Sequence, residues 1–236
     1  MINSDSRRSQ IRYARLAGFM FLFVIAADLL GMAMSNGYTV PGNLTETIHR
    51  MTDAELLVRT SIASGFIGSI CTVLLAMGLY VAVKPVNASL ALLAFLFRMA
   101  EATLGAAQSV LNFALLKVYI GPDSLNVAGA SQLQLLMNLQ SAANSTAMNV
   151  AAILFSLGST IFFFLFFKSA YIPKALSALG LFASPLVTIV SFATLISPHP
   201  STYLQFGWVP IAVAEVSVGL WLLIKGINLP QQELIV

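Results

Sequence analysis

Six stretches of this chain stay apolar for about 20 residues, the length an α-helix needs to cross a bilayer at roughly 1.5 Å rise per residue. They run near 14–34, 61–83, 90–116, 146–167, 175–196 and 208–224. A backbone in lipid must satisfy its own polar groups, so these runs predict an all-α, polytopic membrane bundle of six transmembrane helices. Composition agrees, because 58% hydrophobic and 9% charged residues leave too few charges to solvate a globule of 236 residues. A single integral membrane domain spanning 1–236 is expected, with the lipid bilayer as its surroundings.

The loops distribute their charge unevenly. Arg7, Arg8, Arg12, Arg15, Lys84, Lys168, Lys174 and Lys225 fall on one side, against Arg50, Arg59 and Lys117 on the other. By the positive-inside rule this bias puts both termini in the cytoplasm and the 35–60 loop and 117–145 segment outside. The same argument absorbs the net charge of +3 without nucleic acid as a partner. Ser6, Arg7, Arg8, Ile11 and Arg12 resemble a twin-arginine signal. Asp28, however, interrupts the apolar core that a cleaved signal keeps continuous, so the first span is expected to remain.

In the first outside loop, Leu44, Ile48 and Met51 recur at helical spacing, which predicts a short amphipathic helix resting on the membrane surface. Thr52 and Glu55 read as a capping box opening the second span. Residues 131–145 also read as helix and carry the fourth span beyond the bilayer or into a kink. Trp208 and Trp221, near the ends of the last span, are placed at the interfaces. The phenylalanines of the fourth span (Phe155, Phe162, Phe163, Phe164, Phe166 and Phe167) surround it on every side and are assigned to lipid.

Charge inside a span needs a reason, since an arginine or carboxylate at mid-membrane costs roughly 2.5 to 3.5 kcal/mol on insertion scales. Counted from the basic end of each span, Asp28 lies about 18 Å deep, Arg98 about 12 Å, Glu101 about 16 Å and Glu215 about 15 Å. In the third span Arg98, Glu101, Gly105, Gln108 and Asn112 follow a spacing that places them on one face, which should not see lipid. Three acids against one arginine leave a formal charge of minus two at mid-depth, so either carboxyls there hold protons or a cation binds among them. Arg15 and Arg59 could bend inward and neutralise part of it, or snorkel to the interface. A structural ion pair between Arg98 and Glu101 is the plainer alternative.

Small and hydroxyl residues track one face of three further spans, with Ser61, Gly65, Gly68 and Thr72 in the second. The fourth carries Asn138, Ser141, Ser145, Asn149, Ser156 and Ser159, and the fifth Ser177, Ser184, Thr188 and Ser191. Such spacing predicts close helix packing with interhelical hydrogen bonds. Ala100 to Gly105 also reads almost like Ala214 to Gly219 on the last span, as an inverted repeat of three plus three helices would require.

Other chemistry is set aside. His49 and His199 sit in outside loops with no partner at ligand spacing, so no metal is expected. No phosphate loop, zinc-protease motif or serine elbow is present, and no cofactor is implied. The single cysteine, Cys71, reads as a small packing residue. Asn43 to Thr45 and Asn87 to Ser89 match the glycosylation pattern by accident, Asn87 being on the cytoplasmic side.

The reading that follows is a polar intramembrane centre that binds or transports a small cation or polar solute. Arg98 would hold Glu101, Asp28 and Glu215 would take protons or cations, and Gln108 and Asn112 would line the route outward. Two alternatives are a regulatory or structural subunit docking a membrane protein partner through 44–58, and an intramembrane enzyme acting on a lipid or isoprenoid. The balance favours a protein that is not an enzyme.

Several strings resemble a bacterial family of multi-pass membrane proteins, the domain of unknown function 4386. They are Ala14 to Gly18; Lys84, Pro85, Val86, Asn87 with Leu90 to Ala94; and Phe97, Arg98, Met99, Ala100, Glu101, Ala102. Lys168, Ser169, Tyr171, Ile172, Pro173 and Glu215 with Leu220 to Gly226 extend the likeness nearly end to end. The resemblance implies a six-helix protein of the bacterial inner membrane and supplies no reaction. The family often carries a histidine about ten residues before the lysine and serine of that fourth string; here Leu157, Gly158 and Ser159 stand there, which counts against a histidine-based mechanism.

Overall fold

The computed structural model describes residues 4–40, 42–120, 129–197 and 206–229. Among them the chain is all helix: α1 (Ser4–Asn36), α2 (Leu44–Asp53), α3 (Glu55–Val83), α4 (Ala88–Tyr119), α5 (Gly129–Ser169), α6 (Lys174–Ile196) and α7 (Val209–Ile224). All but the short α2 are long and apolar enough to cross a membrane, so the six expected spans stand, most of them longer than their apolar cores. The expected helix at 131–145 is the first part of α5, one continuous helix of 41 residues.

Local chemistry sets the helix ends. Asn87 caps α4, its side-chain oxygen accepting from the Leu90 amide at 2.9 Å, which gives the asparagine of the Lys84 to Asn87 string a structural task. Asn43 does the same for α2, accepting from the Glu46 amide at 3.0 Å. The capping box expected at Thr52 does not form. Thr52 donates back to the Ile48 carbonyl inside α2, and α3 starts after Ala54 without a side-chain cap. At the α5–α6 turn Ala170 takes a left-handed conformation, φ 53°, and Pro173 then opens α6.

The spans close into a ring in chain order: α1 packs on α3, α3 on α4, α4 on α5, α5 on α6, α6 on α7, and α7 returns to α1. This order overturns the three-plus-three repeat. A two-fold axis in the membrane plane inverts each helix and reverses the sense in which helices follow one another round a ring. Matching first to fourth, second to fifth and third to sixth inverts the helices but keeps that sense, and no rotation does both. The Glu101 and Glu215 strings are alike because both pack a glutamate among small residues.

The core fills the basic end of the ring. Ala14, Ala17 and Phe21 of α1 meet Leu75, Leu79 and Ala82 of α3, Ala91 and Ala94 of α4, and Val218 and Leu222 of α7 in one buried cluster. Phe162, Phe163 and Phe166 of α5 belong to it, so they pack against protein rather than lipid, while Phe164 and Phe167 stay exposed as expected. Trp208 and Trp221, near the two ends of α7, also pack in part against this cluster. Helices approach closely through small residues. A Cβ on Gly18 would stand 2.7 Å from the Gly219 carbonyl oxygen, and one on Gly78 2.8 Å from that of Tyr13. Ser156 and Thr188 share a hydrogen bond of 2.6 Å between α5 and α6, the interhelical bonding expected of those faces. Cys71 is buried, in keeping with a packing role.

The α2 end is built differently. Ile48 of α2 is buried with Tyr119 of α4 and Leu133 of α5, and Met51 packs on the same side. The amphipathic helix therefore turns Ile48 and Met51 onto its own bundle.

Candidate functional site

Below α2 the spans α1, α3, α4 and α5 line a cavity of ≈ 610 Å³ that is open to the surface. Its walls are the α2-side halves of four spans: Asp28 on α1, Ser61, Ser69 and Thr72 on α3, Gln108, Ser109 and Asn112 on α4, and Gln140 and Asn144 on α5. Half-buried Glu101 and exposed Asp28 form its deep end, the end nearest the middle of the bundle, while Tyr38, Thr39 and Tyr119 stand near the mouth under α2. Exposed Thr39 and Ser141 bring it to the protein surface.

Glycines make the cavity possible. A Cβ on Gly68 would stand 3.3 Å from Asp28 Oδ1, so the carboxylate rests against α3 backbone. A Cβ on Gly105 would meet Ser69 Oγ at 2.6 Å, which fixes the spacing of α3 and α4.

Behind Glu101 lies Arg98, 3% exposed. Arg98 Nη1 and Glu101 Oε2 are 3.0 Å apart, but the N–H is not aimed along that line, so charge rather than a directed hydrogen bond holds the pair. Arg98 Nε and Glu215 Oε1 are likewise buried without a hydrogen-bond partner. The guanidinium lies 4.8 Å from the centre of the Phe155 ring, which stacks in turn on Trp208 at 6.5 Å. Gly158 leaves the room, since a Cβ there would stand 3.1 Å from Arg98 Cγ and 3.0 Å from the Ala94 carbonyl oxygen.

The four charged residues expected to share a depth do come together. Arg98 acts electrostatically on Asp28, Glu101 and Glu215, and both Asp28 and Glu215 act on Glu101. Their positions are not equivalent, because Asp28 and Glu101 face the cavity whereas Arg98 and Glu215 form a layer beneath it. Gln108 and Asn112 line the way to the mouth as expected. Arg59 does not turn inward, as it pairs with Glu55 at 2.6 Å. His49 pairs with Asp53 at the surface, His199 falls outside the described residues, and among those described no three candidate ligands gather for a metal ion.

Sequence reasoning missed half of the polar wall. Tyr119 donates to Gln140 Oε1 at 2.8 Å, Gln140 Nε2 donates to Asn112 Oδ1 at 2.8 Å, and Asn144 Nδ2 donates to the same oxygen at 3.1 Å. Gln108 Nε2 completes the ladder on the Asn144 carbonyl at 3.4 Å. Gln140 and Asn144 lie one helical turn apart in the outward extension of α5, a signal the Asn138, Ser141, Ser145 stripe obscured.

No curated protein and no solved structure matches this chain. The sequence does match a family over residues 16–226, nearly all of the membrane bundle, and the protein is a multi-pass membrane protein belonging to the family described as a domain of unknown function, DUF4386.

Proposed function

We propose that this protein binds a small polar cation in the cavity beneath α2, with Asp28 and Glu101 as its anionic end. One observation carries the reading: a polar cavity open to the protein surface ends on two carboxyls, Asp28 and Glu101, with Glu215 and the single guanidinium of Arg98 behind them. A positively charged solute offsets the formal excess that the interior otherwise holds at a cost. Entry is from the α2 side, which the loop charges make the outside of a bacterial cytoplasmic membrane with both termini inside. Binding comes first in this reading, and carriage across the membrane requires the packed basic end to open.

The test uses the full protein in lipid nanodiscs, titrated with guanidinium and with urea at millimolar concentration. The two are close in size and shape and differ in charge. Guanidinium binds saturably and urea does not. Binding strengthens as pH rises, because protons compete with the cation for Asp28 and Glu101, with Arg98 and Glu215 behind them. Asp28→Asn and Glu101→Gln weaken binding and flatten the pH profile. Equal binding of urea, or a pH profile unchanged in both variants, refutes the reading.

A further inference from the structure

The cavity wall is specific in a way that charge alone does not explain. Most of its hydroxyl protons are committed within the protein: Ser69 donates to the Gly65 carbonyl, Thr72 to that of Gly68, Ser109 to that of Gly105, and Ser61 to that of Gly31, whereas Ser35 and Ser141 keep theirs. Tyr119 donates to Gln140, and the amide nitrogens of Gln108 and Gln140 donate along the ladder described above. A hydroxyl whose proton is spent offers only lone pairs, and so does the Gln108 carbonyl oxygen. Asp28 makes no hydrogen bond or ion pair among the described residues, so the deeper part of the wall, Asp28, Ser69, Thr72, Glu101 and Ser109, offers acceptors. The amides nearer α2 are mixed, since the Asn112 oxygen takes two donors and leaves its amino group available, and Gln108, Gln140 and Asn144 each keep one N–H.

We infer that the ligand is a linear primary diamine or polyamine, a class that deepens the cation reading above and rests on it. Three features select it. Ammonium groups bring N–H donors to an acceptor wall, which a quaternary ammonium cannot do. The acceptors run from Glu101 to Ser109, a rise of about 12 Å along α4, so the site suits an elongated molecule rather than a compact one. Two positive charges match the formal minus two left by Asp28, Glu101 and Glu215 against Arg98. A divalent metal would need ligands gathered at one point, and among the described residues no such grouping occurs. An aromatic cage for a methylated cation is likewise missing at the deep end, where Asp28, Gly68, Thr72, Glu101 and Ala102 stand.

The decisive pair of probes is 1,6-diaminohexane and hexamethonium, its permethylated bis-quaternary counterpart. Chain and charge are the same, and only the N–H donors differ. A cavity of ≈ 610 Å³ has room for either, so size does not decide between them. Calorimetric titration of the full protein in nanodiscs should show the diamine binding at least tenfold more tightly. In Gln108→Leu that preference should shrink several-fold while hexamethonium still binds saturably, a pattern that a misfolded variant would not give. Equal or tighter binding of hexamethonium overturns the diamine inference and leaves the cation reading standing, as does binding of guanidinium with neither dication. Failure of guanidinium together with both dications removes the reading beneath it as well.

Discussion

The two ends of this bundle use small residues for opposite purposes. At the basic end Gly18, Gly78 and Gly158 let backbones and large side chains approach until nothing fits between them, as a Cβ on any of the three would meet an atom within 3.0 Å. At the α2 end Gly65 and Gly68 stand beside hydroxyls and amides and open a cavity instead. The apolar surroundings decide which result follows. Where neighbours are Phe162, Phe166 and Leu79, closeness gains dispersion contacts and the seam stays dry. Where they are Ser69, Gln108 and Asn144, each polar group needs a partner, and the space between helices is held open by groups that bond along their own helix or to one neighbour. Asp28, Arg98, Glu101 and Glu215 mark the border between the two regimes.

The strongest break of this contrast is at the border itself. Arg98→Leu leaves Glu101 and Glu215 without their counter-charge and should cost about 3 to 5 kcal/mol, the usual penalty for orphaning one partner of a buried pair. The double variant Arg98→Leu/Glu101→Leu should recover part of that loss, as seen by thermal unfolding in detergent; a double variant no better than the single one would mean that Arg98 is not held by charge. Next in size is Gly18→Leu, which drives a side chain into the α7 backbone and should cost about 3 kcal/mol or more. Ser61→Ala, in the open half, should be nearly silent by the same measurement. If the two were alike, the dry seam would not be what holds the basic end shut. Between these two falls Gln140→Leu, which removes two bonds of the ladder for about 0.6 to 1.5 kcal/mol while leaving the basic end intact.

Much of the site was readable in advance because it lies on one helix. Arg98, Glu101, Gly105, Gln108 and Asn112 share a face of α4 by spacing alone, and the helical period allows no other arrangement. Phe155 was misread for the complementary reason. A phenylalanine in a run of phenylalanines carries no mark of having a guanidinium over its ring, since that contact depends on where Gly158 lets Arg98 lie. The same holds for α2, whose apolar stripe predicted a surface to rest on and could not say whether lipid or Tyr119 would supply it.

Sequence alone determined that six helices are long and apolar enough to cross a membrane, which of their faces are polar, and that four charges lie at similar depths along their helices. Each follows from hydrophobic run length or from the 3.6-residue period, and both are properties of a single helix. Tertiary structure alone decided the order of the ring, the rejection of an internal repeat, the division of the charges into two facing the cavity and two beneath it, and the commitment of the wall's donors. These depend on which helix stands beside which and how far each is rotated, and contacts between helices are set by side chains distant in the chain.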